Sequence, residues 1–113
     1  MDSDSFEDLT SLLRWDSPLD GLVNAAKQHD LQDGPYVILN RPTARDVVQR
    51  CISGELDVSE LPRWAGVVHM LERVEIDEAD IEQLAQFLFE VSSPGLFEPI
   101  TVEVCRRWAS RLS

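Results

Sequence analysis

Apolar residues recur at helical spacing through almost the whole chain, and that period admits few architectures. The stripes are Phe6, Leu9, Leu12 and Leu13; Leu19, Leu22, Val23 and Ala26; and Ala44, Val47, Val48, Cys51 and Ile52. They continue with Leu61, Trp64, Ala65, Val68 and Leu71; Ile81, Leu84, Ala85 and Leu88; and Cys105, Trp108, Ala109 and Leu112. Each matches the i, i+3, i+4, i+7 template of a helix with one buried face. A stripe of this kind must be covered by another, so the pattern predicts an all-α fold, a single compact bundle of about six short helices. With 113 residues there is volume for one core, and residues 1–113 are read as a single helical domain.

Cap and stop residues punctuate the stripes. Ser5 and Asp8 have the spacing of a capping pair, and Ser17-Pro18 opens a second helix that Asp33-Gly34-Pro35 stops. From Thr43 the helical period resumes and Ser53-Gly54 ends it; Ser59 starts the next helix, with Pro62 tolerated in its first turn. Asp77 and Thr101 are the expected caps of the last two helices, and Ser93-Pro94-Gly95 the stop between them. Tyr36-Val37-Ile38-Leu39 alone reads as a strand. No second β-rich segment is evident to pair with it, so an extended connector near residues 35–40 is expected.

The charge is uneven. The formal net charge is −11, and six carboxylates, Glu72, Glu75, Asp77, Glu78, Asp80 and Glu82, fall within eleven residues with only Arg73 among them. Carboxylates in a first helical turn complement the dipole by about 0.3–1 kcal/mol each, which accounts for Asp77, Glu78 and Asp80. Glu72 and Glu75 follow the preceding helix, where the dipole disfavours them, so a partner is the better reason for their presence. If residues 59–72 and 77–91 pack side by side, their outer faces and the Glu75–Asp80 turn form one acidic surface. Its expected contact acids are Glu72, Glu75, Asp77, Glu78 and Asp80, with Glu55, Asp57 and Glu60 next to them.

Several function classes fall away on chemistry. Residues 72–82 lack the central glycine of a calcium loop, and no Cys/His cluster suggests zinc, so no metal and no cofactor are expected. Paired carboxylates acting on a sugar need a cleft with one raised pKa, which a solvated acidic face does not provide; no enzyme activity is expected. No glycine-rich phosphate loop is present among five glycines. Arg41, Arg45, Arg50, Arg106, Arg107 and Arg111 are the basic groupings, and they are expected to pair with nearby acids. A body of charge −11 repels a phosphate backbone, so nucleic acid is not the expected partner.

Cys51 and Cys105 lie in apolar stripes and read as buried reduced thiols; Trp15, Trp64 and Trp108 read as core; His29 and His69 read as structural. The acidic start of the chain, with no apolar segment behind it, leads to the expectation of a cytoplasmic protein, and no apolar run approaches the ~20 residues of a membrane span.

Turns and caps also carry a family resemblance over about residues 41–112. They are Ser53-Gly54-Glu55-Leu56, Trp64-Ala65, Val74-Glu75-Ile76-Asp77, Leu88-Phe89-Glu90-Val91-Ser92-Ser93-Pro94 and Glu98-Pro99-Ile100-Thr101. In this the chain resembles small bacterial immunity proteins of contact-dependent growth inhibition, encoded beside toxin genes. The resemblance implies an immunity protein that binds and neutralises a cognate toxin domain. The acidic surface implies that this toxin is basic, as a nuclease would be. The alternative is a regulatory adaptor that holds a transcription component such as a sigma factor.

Overall fold

The computed structural model describes residues 2–30 and 36–113, and within them the side chains of residues 6–29 and 36–113. The expected stop at Asp33-Gly34-Pro35 lies outside the described residues. Among the described residues six α-helices form: α1 (Asp2–Arg14), α2 (Leu19–Asp30), α3 (Arg41–Ser53), α4 (Leu61–Met70), α5 (Ile81–Val91) and α6 (Val102–Arg111). They pack chiefly as three pairs, α1 with α2, α3 with α6 and α4 with α5, around one core.

The caps explain most boundaries. Asn40 accepts a hydrogen bond from the Thr43 amide (3.0 Å) and Pro42 occupies the first turn, so α3 begins two residues before Thr43. Gly54 closes that helix at φ 86°, a left-handed position where a Cβ is strained. Thr101 caps α6 by accepting from the Val104 amide (3.3 Å). The helix expected to start at Ser59 and the one expected to be capped by Asp77 both begin later, behind turns capped by Asp57 and Asp77. Each caps a single 3₁₀ turn, Val58–Glu60 and Glu78–Asp80, and the α-helices follow at Leu61 and Ile81. Two stripe positions also move: Phe6 and Ile81 are exposed, while Phe87 takes the fully buried place on α5.

The run at 36–39 is more than a connector. Val37–Leu39 forms strand β1, which pairs in parallel with β2, Val74–Ile76, in the register Val37 to Val74, Ile38 to Glu75 and Leu39 to Ile76. The expectation that no partner segment exists is thereby corrected. Three residues with a glutamate in the middle are too short a pattern to register as β-rich, yet Val74 and Ile76 turn inward while Glu75 alternates out. Burial of Val37 and Leu39 holds this small sheet against the helices.

The α1 terminus shows a local conflict resolved by packing. Trp15 sits at φ 50°, the only non-glycine residue with positive φ among those described. Its amide bonds the Leu12 carbonyl (3.1 Å) and the Asp16 amide bonds Ser11 (3.4 Å), the double bond pattern of a left-handed helix stop where glycine is usual. A side chain there costs about 1–2 kcal/mol. The indole offsets this by being 4% exposed and stacked on Trp64, with centroids 6.2 Å apart and planes 14° from parallel. Substituting Trp15→Gly relieves the backbone but removes the ring. Burial of a large aromatic is worth about 3–5 kcal/mol on truncation, so urea unfolding is expected to show a net loss of about 2–3 kcal/mol; a gain in stability would contradict this balance.

Candidate partner-binding surface

The acids are best followed from the arginines, because a base consumed inside the fold leaves its neighbours' charge uncompensated. Arg41 reaches Asp80 (3.8 Å), Arg106 reaches Glu103 (2.5 Å), and Arg63 and Arg107 contact Asp20 and Glu98. Arg111 lies over the Trp108 ring at 4.2 Å from its centroid, and Arg45 makes no ion pair among the described residues. Arg73, read in sequence as the base inside the acidic run, is in fact buried at 4% exposure. Its Nη1 donates to the carbonyl of His29 (2.9 Å), in the last turn of α2, while its own backbone carbonyl receives the Val37 amide (2.9 Å). It ties α2 to the sheet.

Arg50 does comparable work at the other end of α3. It donates to Asp46 (3.0 Å), to the Trp15 carbonyl (3.0 Å) and to the Arg14 carbonyl, and it lies 3.5 Å from Glu55. A guanidinium placed on the last carbonyls of α1 satisfies groups that the helix leaves open. The α1–α2 turn is thus held against the α3–α4 connection, with a cleft of about 460 Å³ between them. Asp16 stands on one wall; Glu55, Asp57 and Glu60 stand on the other, and Trp15, Leu19 and Leu56 add apolar surface. Asp16 and Glu60 form no ion pair among the described residues, and Arg50 is the only base lining the cleft.

The second acidic group lies on β2 and to either side of it. Glu72 is exposed, Glu75 points outward from the sheet, and Glu78 and Glu82 are exposed. Asp77 accepts from the Ala79 amide (3.1 Å) and Asp80 faces Arg41, so those two have structural work. Glu75, Glu78 and Glu82 make no ion pair among the described residues.

A helix lies between the two groups along the chain. Glu60 precedes α4 and Glu72 follows it, about 15 Å apart along a ten-residue helix. The exposed residues of that helix, Arg63, His69 and Met70, bring no carboxylate between them. The expected contact acids thus stand towards the two ends of α4: Glu55, Asp57 and Glu60 at the cleft before it, and Glu72, Glu75, Asp77, Glu78 and Asp80 after it. Asp16 was missed because it enters the cleft from 39 positions before Glu55; only the Trp15-Asp16-Ser17-Pro18 turn hinted at it.

Among the described residues no group of three or more His, Cys, Asp or Glu is placed to hold a metal ion, and no helix is long and apolar enough to cross a membrane. Comparison of the chain with protein-family models, curated proteins and solved structures finds no match.

One cleft acid is electrostatically distinct. The Ser59 hydroxyl (2.7 Å) and amide (2.9 Å) both donate to Asp57 and hold its carboxyl below the ordinary aspartate value. With the folded value depressed, the cap's contribution is complete above the ordinary aspartate range and is lost as pH falls through the folded value. In a carbon-detected NMR titration Asp57 is expected to protonate below the ordinary aspartate range, and Ser59→Ala to move it back towards that range. A midpoint at the ordinary value in the native protein would contradict the hydrogen-bond geometry.

Proposed function

We propose that this chain is a cytoplasmic immunity protein that neutralises a cognate basic toxin domain, of the nuclease class, by docking acidic surface over or beside its active site. The observation that supports it most is the division of labour among charges. Arginines are consumed by Asp20, Asp80, Glu98, Glu103 and helix carbonyls, whereas Asp16, Glu60, Glu75, Glu78 and Glu82 are left without a cation among the described residues. On a body of net charge −11 such carboxylates project a field that attracts a positive protein surface. The resemblance of residues 41–112 to immunity proteins supports the same reading independently of charge. The protein acts by occupancy, with no catalytic step.

The two acidic groups suit two depths of contact. Acids on and around β2 steer and orient, with association approaching ~10⁸ M⁻¹s⁻¹ at low salt and slowing as salt rises. The cleft suits a single inserted Lys or Arg side chain, since its acids surround a concavity with apolar walls. A sigma-factor adaptor shares the requirement for protein contact but not for a toxin, so cell survival separates the two.

The product of the adjacent gene, co-expressed with this chain, is expected to co-purify with it and to kill cells when expressed alone. Glu75→Lys with Glu78→Lys is expected to slow association at least tenfold at low salt, and Glu60→Lys to quicken dissociation. Both variants should stay folded and melt only about 2–8 °C below the native protein, because Glu60 and Glu78 make no ion pair among the described residues and lose only a first-turn dipole interaction. Unchanged affinity in both would remove the acids from the interface.

A further inference from the structure

The chain has two cysteines, 54 positions apart, and the fold brings them together. Cys51 is 2% exposed on α3 and Cys105 is 1% exposed on α6, two helices that pack against each other, and the two thiols lie within interaction range across the pair. Val47 and Val48 on one helix and Val104 and Trp108 on the other are also buried. A structural role alone, as small apolar fillers, would not require the two sulfurs to be neighbours. Neighbouring thiols on two packed helices can approach to the ~2.05 Å of a disulfide bond by side-chain rotation and a local shift of the pair.

We propose that Cys51 and Cys105 form an intramolecular disulfide site, closed by a two-electron oxidant of the peroxide class, which cross-links α3 to α6. Either sulfur, once deprotonated, attacks a peroxide oxygen, the O–O bond breaks, and a sulfenic acid forms while the departing oxygen takes up a proton as water. The second sulfur then attacks the sulfenic sulfur, the S–S bond forms, and the S–O bond breaks with the second oxygen leaving as water. Two thiols and one hydrogen peroxide give one disulfide and two waters.

Access comes from partial opening. Helix α6 makes its main packing contact with α3, so separation of this one pair exposes both sulfurs. Closure after oxidation traps the bond. In a reducing compartment such a bond is transient, formed under oxidative load and removed by small thiols. It would close a loop of about 54 residues in the unfolded chain and so favour the folded state.

The test uses the full chain, treated in its folded state with a few equivalents of hydrogen peroxide and analysed by intact mass and by alkylation after unfolding. The expected product is a monomer lighter by about 2 Da, with neither thiol open to alkylation, reversed by dithiothreitol. Its melting temperature is expected to exceed that of the reduced protein by roughly 10 °C. Cys51→Ser, oxidised in parallel, is expected to stop at sulfenic or higher acids of Cys105 and to show no such rise. A peroxide-treated native protein that retains both alkylatable thiols, gains oxygen on each sulfur, or crosslinks into dimers would overturn the proposal. So would an intramolecular disulfide that lowers the melting temperature, because the folded geometry would then oppose the bond.

Discussion

The indole of Trp64 holds the molecule together at the point where most of its parts meet. The ring is fully buried on α4, and its Nε1 donates to the Leu12 carbonyl near the end of α1 at 2.7 Å. On one side it stacks with Trp15; on the other it meets Phe87 of α5 at 6.5 Å, and Phe87 in turn meets Trp108 of α6 edge-on at 5.2 Å. Each such contact contributes about 0.5–1.5 kcal/mol beyond the area it buries. The row of four rings crosses from α1 through α4 and α5 to α6, so it touches all three helix pairs. Without it the pairs would share aliphatic contacts and a few arginine bonds, and aliphatic contacts fix neither angle nor register as firmly as ring geometry does.

The cleft is a consequence of that node. Trp15 adopts a left-handed backbone because its ring is held on Trp64, and the same turn presents the Arg14 and Trp15 carbonyls to Arg50. One guanidinium then fixes the distance between the α1–α2 turn and the Glu55–Glu60 segment. Its charge is shared among Asp46, Glu55 and helix carbonyls, so Asp16 and Glu60 stay without a cation of their own among the described residues. An acidic concavity thus follows from the way a helix end is satisfied, and the acidic group around β2 follows from the burial of Arg73, the one base in its run.

How legible this was depended on the range of the interaction. Stripes such as Leu19, Leu22, Val23 and Ala26, and Ala44, Val47, Val48 and Cys51, repeat within one or two turns and appear as buried faces in the fold. So do local stops and caps, Gly54 and Thr101 among them. Strand β2 was hidden because three residues are too few for a period-two signal, and its identity depends on pairing with a segment 37 positions earlier. The joining of Asp16 to Glu60, the contact of Cys51 with Cys105 and the inward turn of Arg73 are all tertiary facts with no local signature. In each, a residue with an ordinary neighbourhood in sequence acquires its role from a remote one.

Coupling of the cleft to the core can be read from one hydrogen, the indole N–H of Trp64. Its exchange with deuterated water under native conditions reports the least costly motion that separates it from Leu12. If the α1 terminus, the ring row and the cleft form one cooperative unit, the exchange free energy will equal that of global unfolding measured in urea. Exchange at several kcal/mol less would show α1 detaching by itself, and the cleft would not be the rigid consequence of core packing described above.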